Sequence, residues 1–314
     1  MTFPGEHWAL ILGGSSGFGL ATAHKLAAHG MNLCLVHRDR RGAMARIEPE
    51  FAAIRARGIK LVTINADALD ATTRSEILDR LTGDMGADGR VRLLLHSIAF
   101  GNLKLLVRER RAERTRALPA LAHALGVDQH TLAGAVDRLF ADGHDELLSL
   151  ASAPEYPSSA FLEDEDFART IHAMGTSLVG WTQALLERGL FASDARVIGL
   201  TSEGNTVAWK GYAAVAAAKV ALESVARGLA VELAPYGVRV NVVQAGITNT
   251  PALLAIPGNA HLKAQARSRN PFHRLTMPQD VANVIYLLST DEASWINGEI
   301  VRVDGGEHIS GAVS

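Results

Sequence analysis

A doubly wound α/β fold, a seven-stranded parallel sheet in a single domain of residues 1–314, is predicted for this chain by three observations. Seven short runs rich in Val, Ile and Leu alternate with helical stretches. A glycine-rich turn follows the first run. At 314 residues and 48% hydrophobic, the chain is long enough to bury a substantial core. The runs fall near 8–12, 32–37, 60–65, 91–96, 195–201, 237–243 and 299–303.

The first element, HWALILGGSSGFGLATAHKLAAHG, reads as a buried strand, a tight turn and a helix. Gly13, Gly17 and Gly19 set a G-x3-G-x-G pattern. Such glycines let the chain turn sharply, let the backbone approach a pyrophosphate and let the helix pack close to the sheet. The helix N-terminus then offers free N–H groups and a partial positive charge to phosphates. A strand, this turn and a helix in succession form a Rossmann-type unit, which predicts dinucleotide binding.

The second strand, MNLCLV, runs into His37-Arg38-Asp39-Arg40-Arg41. An acidic residue at such a strand end binds a ribose diol, whereas an arginine accommodates a 2′-phosphate. Here His37 and Arg38 hold the position and Asp39 lies beyond the tip, where solvation is expected. The cofactor expected is therefore NADP(H). Asp67, closing the third strand, is a partner for the adenine.

The fifth strand, ARVIGLTS, leads into the stretch that carries the chemistry, TSEGNTVAWKGYAAVAAAK, with Ser202, Tyr212 and Lys219. On a helix, residues four apart lie about 40° apart around the axis and residues seven apart about 20°. Either spacing puts a tyrosine and a lysine on one face, but seven separates them by roughly 10 Å along the axis instead of about 6 Å. A proton donor must reach the atom that accepts its proton. In carbonyl reduction that oxygen is bonded to the carbon receiving hydride. In reduction of a double bond conjugated to a thioester, hydride goes to the β-carbon and charge builds on the more remote thioester oxygen. Tyr212 suits the remote position, and the residue four before Lys219 is Val215, which has no proton to donate.

With these residues in view, the chain resembles the short-chain dehydrogenase/reductase superfamily, and within it the NADPH-dependent enoyl-acyl carrier protein reductase branch. RLLLHSIAFG is similar to the HSIAF segment of bacterial enoyl reductases, and Tyr-x6-Lys replaces the Tyr-x3-Lys of ordinary members. Ser202 stands seventeen residues before Lys219, where ordinary members keep a serine. VNVVQAGITNTPA resembles the family's PG loop with alanine for proline, and the final helix and strand of RLTMPQDVANVIYLLSTDEASWINGEIVRVDGG match closely. The resemblance covers most of 5–101 and 166–310. It implies catalytic roles for Ser202, Tyr212 and Lys219, with Lys219 also on the nicotinamide ribose. It implies cofactor contacts from Gly13, Ser15, Ser16, Gly17, Phe18, Gly19, His37, Arg38, Asp67 and Ala68 on the adenosine and pyrophosphate side. Ser97, Ile98, Ala99 and Gly246 fall on the nicotinamide side, with Thr248 at the nicotinamide amide and Thr250 at a phosphate. The substrate implied is an enoyl thioester on acyl carrier protein or coenzyme A, as in fatty acid biosynthesis. The family habit is a homotetramer.

Residues 102–165 depart from that pattern by roughly fifty extra residues after the fourth strand. RERRAERTR holds five arginines against two glutamates. Then ALPALAHALGVDQHTLAGAVDRLFADG forms two amphipathic segments about a Gly-Val-Asp turn, with Leu121, Leu125, Val127, Leu132, Val136 and Leu139 at the spacing of facing helices. The pattern is superficially that of a helix-turn-helix, but its second segment offers only Gln129, His130 and Arg138 to a nucleic acid. A helical hairpin over the carboxyl edge of the sheet, serving as substrate lid or wall, is expected instead.

Composition limits the rest. A formal net charge of −2 gives no argument for nucleic acid or anionic membrane. The single cysteine, Cys34, lies within a strand and is expected in the core. The twelve histidines lack partners at ligand spacing, so no metal is expected. No apolar run approaches a membrane span and no secretory signal opens the chain, so a cytoplasmic protein is expected. Besides the enoyl reductase, two readings remain: a carbonyl reductase of the same fold, with Tyr212 on a distorted helix start, and an NADP-sensing regulator that uses the insertion to bind a partner.

Overall fold

The structure is a computed structural model and describes residues 3–108, 117–156 and 160–311. Seven parallel strands, β1 (His7–Leu12), β2 (Asn32–His37), β3 (Leu61–Asn65), β4 (Arg90–His96), β5 (Phe191–Ser202), β6 (Val238–Ala245) and β7 (Ile300–Val303), lie in the order β3-β2-β1-β4-β5-β6-β7. This is the predicted doubly wound sheet. The helices are α1 (Gly17–Ala27), α2 (Met44–Arg55), α3 (Ala71–Met85), α4 (Ala117–Leu125), α5 (Gln129–Ala141), α6 (Asp164–Ile171), α7 (Ser177–Glu187), α8 (Ala213–Glu232), α9 (Pro251–Leu254), α10 (Asn259–Arg269) and α11 (Pro278–Ser289). A wide π turn at His172–Thr176 joins α6 to α7.

Alternation along each strand sorts the core onto two faces. Leu10, Leu12, Cys34, Val36 and Leu94 pack with Trp181, Leu185 and Leu222 on one side. Ala9, Ile11, Leu33, Leu35 and Leu95 pack with Leu26, Phe51 and Ile285 on the other. Cys34 is fully buried, and burial pushes its thiol up to about 12, so it behaves as a packed core residue. The strand order reverses between β1 and β4, which opens a crevice at their carboxyl ends.

At the opposite edge of the sheet, the buried Arg92 and Arg196 close the end of α11. Arg92 donates to Ser289 O at 3.1 and 3.0 Å, and Arg196 to Leu288 O at 3.0 Å and Thr290 O at 3.1 Å. Both also hold Asp194, which Arg239 joins from β6.

The inserted segment does form a hairpin, α4 and α5, about Gly126-Val127-Asp128, and the Asp128 carboxylate accepts from Thr131 N at 2.8 Å. Its interior differs from the expectation. Leu125, Val127 and Leu139 are 59%, 44% and 45% exposed and Leu121 36%, whereas Leu118, Ala122, Val136 and Phe140 are buried. The helical stripe facing inward is thus rotated toward Ala122 and Phe140, because the hairpin leans on α10 instead of closing on itself alone. Phe140 meets the His261 ring at 4.9 Å, and Asp145 forms a two-pronged ion pair with Arg267, one arm at 2.6 Å. Of RERRAERTR, residues 109–116 lie outside the described residues.

Candidate active site

A cleft of about 530 Å³ runs along the carboxyl ends of the strands, from Gly13 to Lys219 and Thr250. Its floor explains the glycine turn. A Cβ on Gly13 would stand 2.4 Å from Ser97 O, and one on Gly19 would stand 2.1 Å from Gly13 O. Only glycine lets β1, the β4 exit and α1 approach so closely. Ser16 caps α1 with no side-chain hydrogen bond to its own helix, so the N-terminal N–H groups face the cleft unassisted. These features fit a dinucleotide. Gly13, Ser15, Ser16, Gly17 and Phe18 line this end, while Gly19 packs beneath it.

At the tip of β2 the expectation needs one correction. Asp39 is not free in solvent but partly buried at the cleft: its carboxylate sits 2.9 Å from His37 Nδ1 and its backbone is tied to the Asn65 side chain at 3.1 and 2.9 Å. His37 is buried against Phe51. Of the exposed arginines there, Arg38, Arg40 and Arg41, Arg38 lines the cleft. It donates to Asp67 Oδ2 at 2.7 Å and stacks over the Phe100 ring at 4.7 Å. His37, Arg38, Asp67 and Ala68 all line the cleft, with Ser97, Ile98 and Ala99 across from them.

The other end gathers the trio. Ser202 ends β5, and Tyr212 Oη lies 3.2 Å from Ser202 Oγ. Tyr212 is not on the helix, as the spacing argument assumed. It is the residue before α8, with φ −114 and ψ 0, and Ala213 begins the helix. The run Thr206–Gly211 loops outward, so the ring folds back on Trp209, at 5.2 Å, and over Gly204, where a Cβ would meet it at 2.4 Å. Burial raises the Tyr212 pKa, and the Ser202 hydroxyl opposes that rise. Lys219, 7% exposed on α8, donates to Leu200 O at 2.7 Å. Burial lowers its pKa to about 8, against the pull of Glu223. Glu223 itself accepts from Thr201 Oγ1 at 2.5 Å and Asn205 Nδ2 at 2.6 Å. Val215 is buried and lines the cleft on the same helix.

Gly246, Thr248 and Thr250 also border the cleft. Thr248 donates to Gly246 O at 2.9 Å, and Thr250 caps α9, its Oγ1 accepting from Leu253 N at 3.3 Å. His96, in the HSIAF-like segment, is fully buried, and desolvation lowers its pKa to about 3, so it is neutral. Ser177 spends its hydroxyl proton on Ala173 O, so His96 Nε2 donates to Ser177 Oγ at 2.8 Å.

Sequence reasoning missed Glu203, Trp209 and Met174, which line the cleft, and the partly buried Arg269 and buried Glu307 behind it. Glu203 and Trp209 had a signal, since both lie in the stretch from Ser202 to Tyr212, whereas Met174, Arg269 and Glu307 come from segments distant in the chain. Among the described residues no group of His, Cys, Asp and Glu is arranged to hold a metal, and no helix is long and apolar enough to cross a membrane.

Comparison with known proteins agrees with this geometry. Residues 145–308, more than half of the chain, match the family described as enoyl-(acyl carrier protein) reductase, and residues 7–117 match short chain dehydrogenase. The chain is 32% identical over 166 residues to an enoyl-acyl-carrier-protein reductase (NADH) of Aquifex aeolicus, covering 52% of this chain and 61% of that protein. It is 26% identical over 303 residues to a cis-4-hydroxycyclohexanecarboxylate dehydrogenase of Sinomonas cyclohexanicum, covering 96% of both. A short-chain type dehydrogenase/reductase of Picea abies is matched over only 56% of its length. The crystal structure of FabI from Candidatus Liberibacter asiaticus superposes with a TM-score of 0.73 at 19% identity, covering 98% of this chain and 97% of that one.

Proposed function

The chain belongs to the short-chain dehydrogenase/reductase superfamily, and from that premise we propose that it is an NADPH-dependent reductase of the double bond of an enoyl thioester. The observation that carries this reading is the pair of positions ahead of Lys219. Val215, four residues before, is buried and has no proton to give, while Tyr212, seven before, presents its hydroxyl in the cleft beside Ser202.

When bound, NADPH supplies the hydride that goes to the β-carbon. The side chains do the rest. Tyr212, whose burial keeps its hydroxyl protonated, donates to the thioester oxygen as negative charge gathers there. Ser202 orients that hydroxyl. Lys219 holds the nicotinamide ribose and, with its pKa near 8, carries positive charge near Tyr212 at neutral pH. Leu103, Met174, Trp209 and Ile256 make an apolar wall that excludes water and suits an acyl group. Arg38 meets the 2′-phosphate. The acyl group is carried on acyl carrier protein or coenzyme A.

The test is NADPH oxidation with crotonyl-CoA, with acetoacetyl-CoA and with no substrate. Turnover of crotonyl-CoA is expected, and turnover of acetoacetyl-CoA alone overturns the reading. One observation favours a second reading, a carbonyl reductase. The 3.2 Å Ser202–Tyr212 pair would also serve a carbonyl oxygen, since Tyr212, freed from the helix, is not bound to the two-turn distance.

The same reading implies a cytoplasmic homotetramer. Val231, Val220 and Trp295, 76%, 49% and 95% exposed, are large apolar side chains suited to subunit contacts.

A further inference from the structure

Behind the cleft, one guanidinium joins three distant segments. Arg269 ends α10, and its Nη1 and Nη2 donate to Glu203 Oε1 and Oε2 at 2.9 and 2.7 Å. Nη2 also reaches Glu307 Oε1 at 3.3 Å. Glu203 follows Ser202 at the end of β5, and Glu307 lies in the turn after β7; they are 5% and 1% exposed. The other oxygen of Glu307, Oε2, accepts from Ile247 N at 3.3 Å. It presses so close to Gly246 that a Cβ there would stand 2.9 Å away. The chain Glu203–Arg269–Glu307 thus ends on the Gly246–Thr248 loop, the loop that resemblance gives to the nicotinamide.

A bidentate fork on one carboxylate and a shared contact to a second is a specific and rigid arrangement. It is costly to break, because removing the cation leaves two buried carboxylates facing each other. A contact made only for stability could sit anywhere in the core. This one ties the serine end of the cleft to its nicotinamide loop and to α10, the helix on which the insertion leans through Arg267 and His261. Arg269 and Glu307 do not line the cleft, whereas Glu203 and Gly246 do, so any influence of Arg269 on a ligand passes through them.

We propose that Arg269 is a positioning residue for cofactor binding: by bridging Glu203 and Glu307 it fixes the Gly246–Thr248 loop against the Ser202 end of β5. The inference rests on nicotinamide-cofactor binding and not on the choice between enoyl and carbonyl substrate. The groups facing Glu307 are Glu203, Arg269 and Asp304, and His308 Nδ1 lies 3.8 Å from Glu203 Oε1. Burial and the charge of Glu203 push Glu307 up to about 7, against the Ile247 N–H and Arg269. Strengthening of the bridge as Glu307 ionises therefore falls within a measurable range.

The experiment titrates NADPH and NADH by fluorescence into the full-length protein and its variants at about pH 5.5 and about pH 7.5, taking the ratio of Kd to wild type at each pH for whichever cofactor wild type prefers. Arg269→Gln should weaken binding by about tenfold to a hundredfold at the higher pH, the equivalent of one charge-assisted hydrogen bond. The deficit should shrink at the lower pH, where a proton on Glu307 relieves its opposition to Glu203. Arg269→Lys should recover part of the loss. Should Arg269→Gln fail to fold, Glu307→Gln carries the test, since it keeps the shape and an acceptor for the Ile247 N–H. It imitates the protonated acid, so it should match wild type at the lower pH and bind more weakly, by about threefold or more, at the higher. Folded variants with wild-type affinity at both pH values, or with a ratio independent of pH, would overturn the proposal. Loss of crotonyl-CoA turnover plays no part in this readout, so failure of the enoyl reading is seen separately.

Discussion

The hydroxyl of Tyr212 stands 3.2 Å from that of Ser202, although Tyr212 precedes α8 and Ser202 ends a strand ten residues earlier. The pairing arises because Thr206–Gly211 loops out and returns the tyrosine over Gly204. It makes Tyr212 the group whose removal separates chemistry from binding. Tyr212→Phe keeps the ring packed on Trp209 and deletes only the donor. NADPH binding should survive while turnover of an enoyl thioester falls roughly a hundredfold to a thousandfold, for about 2.7–4 kcal/mol of lost transition-state stabilisation. Near-full activity on every enoyl thioester tried would make the tyrosine structural.

Cofactor choice turns on Arg38. Its pair with Asp67 is about half exposed on both sides, so it contributes on the order of 0–1 kcal/mol and is easily exchanged for a phosphate contact. NADPH should therefore bind about tenfold to a hundredfold more tightly than NADH, and Arg38→Ala should erase the difference. Fluorescence titration of both cofactors checks this, and equal wild-type affinities refute it.

Lys219 predicts a pH dependence. Its proton is held less tightly in the folded protein, pKa about 8 against an ordinary 10.5, because burial disfavours the ammonium. The free enzyme should thus lose the ribose-binding charge as pH rises through about 8, and cofactor affinity should fall between about pH 7 and 9. The sign for stability is opposite. Below about 8 the buried ammonium costs stability, and that cost is relieved as pH climbs toward 10.5. Lys219→Met should flatten the affinity profile; a wild-type profile flat over this range contradicts the assignment.

The Asp194 cluster predicts acid sensitivity. Burial works against its ionisation, but the hydrogen bond and charge of Arg196, with Arg92 and Arg239, hold its carboxyl below the ordinary range. A depressed carboxylate stabilises the fold at neutral pH, and the benefit is lost as pH falls through that lowered value. Asp194→Ala leaves the buried Arg196, at 1% side-chain exposure, without its counter-charge, while Arg92 keeps only its pair with Asp291 at 2.8 Å. A loss of about 3 kcal/mol is expected in urea denaturation, the low end of the buried-pair range because Asp194 itself is 31% exposed.

Assembly is checked by light scattering at micromolar concentration, where a tetramer is expected. A monomer would contradict the subunit role given to Val220, Val231 and Trp295.

The sequence by itself determined the sheet, its seven strands, the glycine turn and the cluster of cleft residues. These are local: period-two runs of Val, Ile and Leu, and glycines where any Cβ would strike backbone, are written in neighbouring residues. The tertiary structure alone decided four things. It placed Tyr212 outside α8, because a loop of Thr206–Gly211 has no periodicity that announces its path. It turned Asp39 back onto His37 and Asn65, and gave Arg38 to Asp67 and Phe100, through contacts from two other strand ends, those of β3 and β4. It rotated the inserted hairpin so that Phe140 faces α10 and Leu125 faces outward, since an amphipathic stripe names a buried side but not what buries it. And it brought Glu203, Arg269 and Glu307 together across more than a hundred residues of chain, a juxtaposition made by the order of strands β5, β6 and β7 and by nothing in the spacing of the residues themselves.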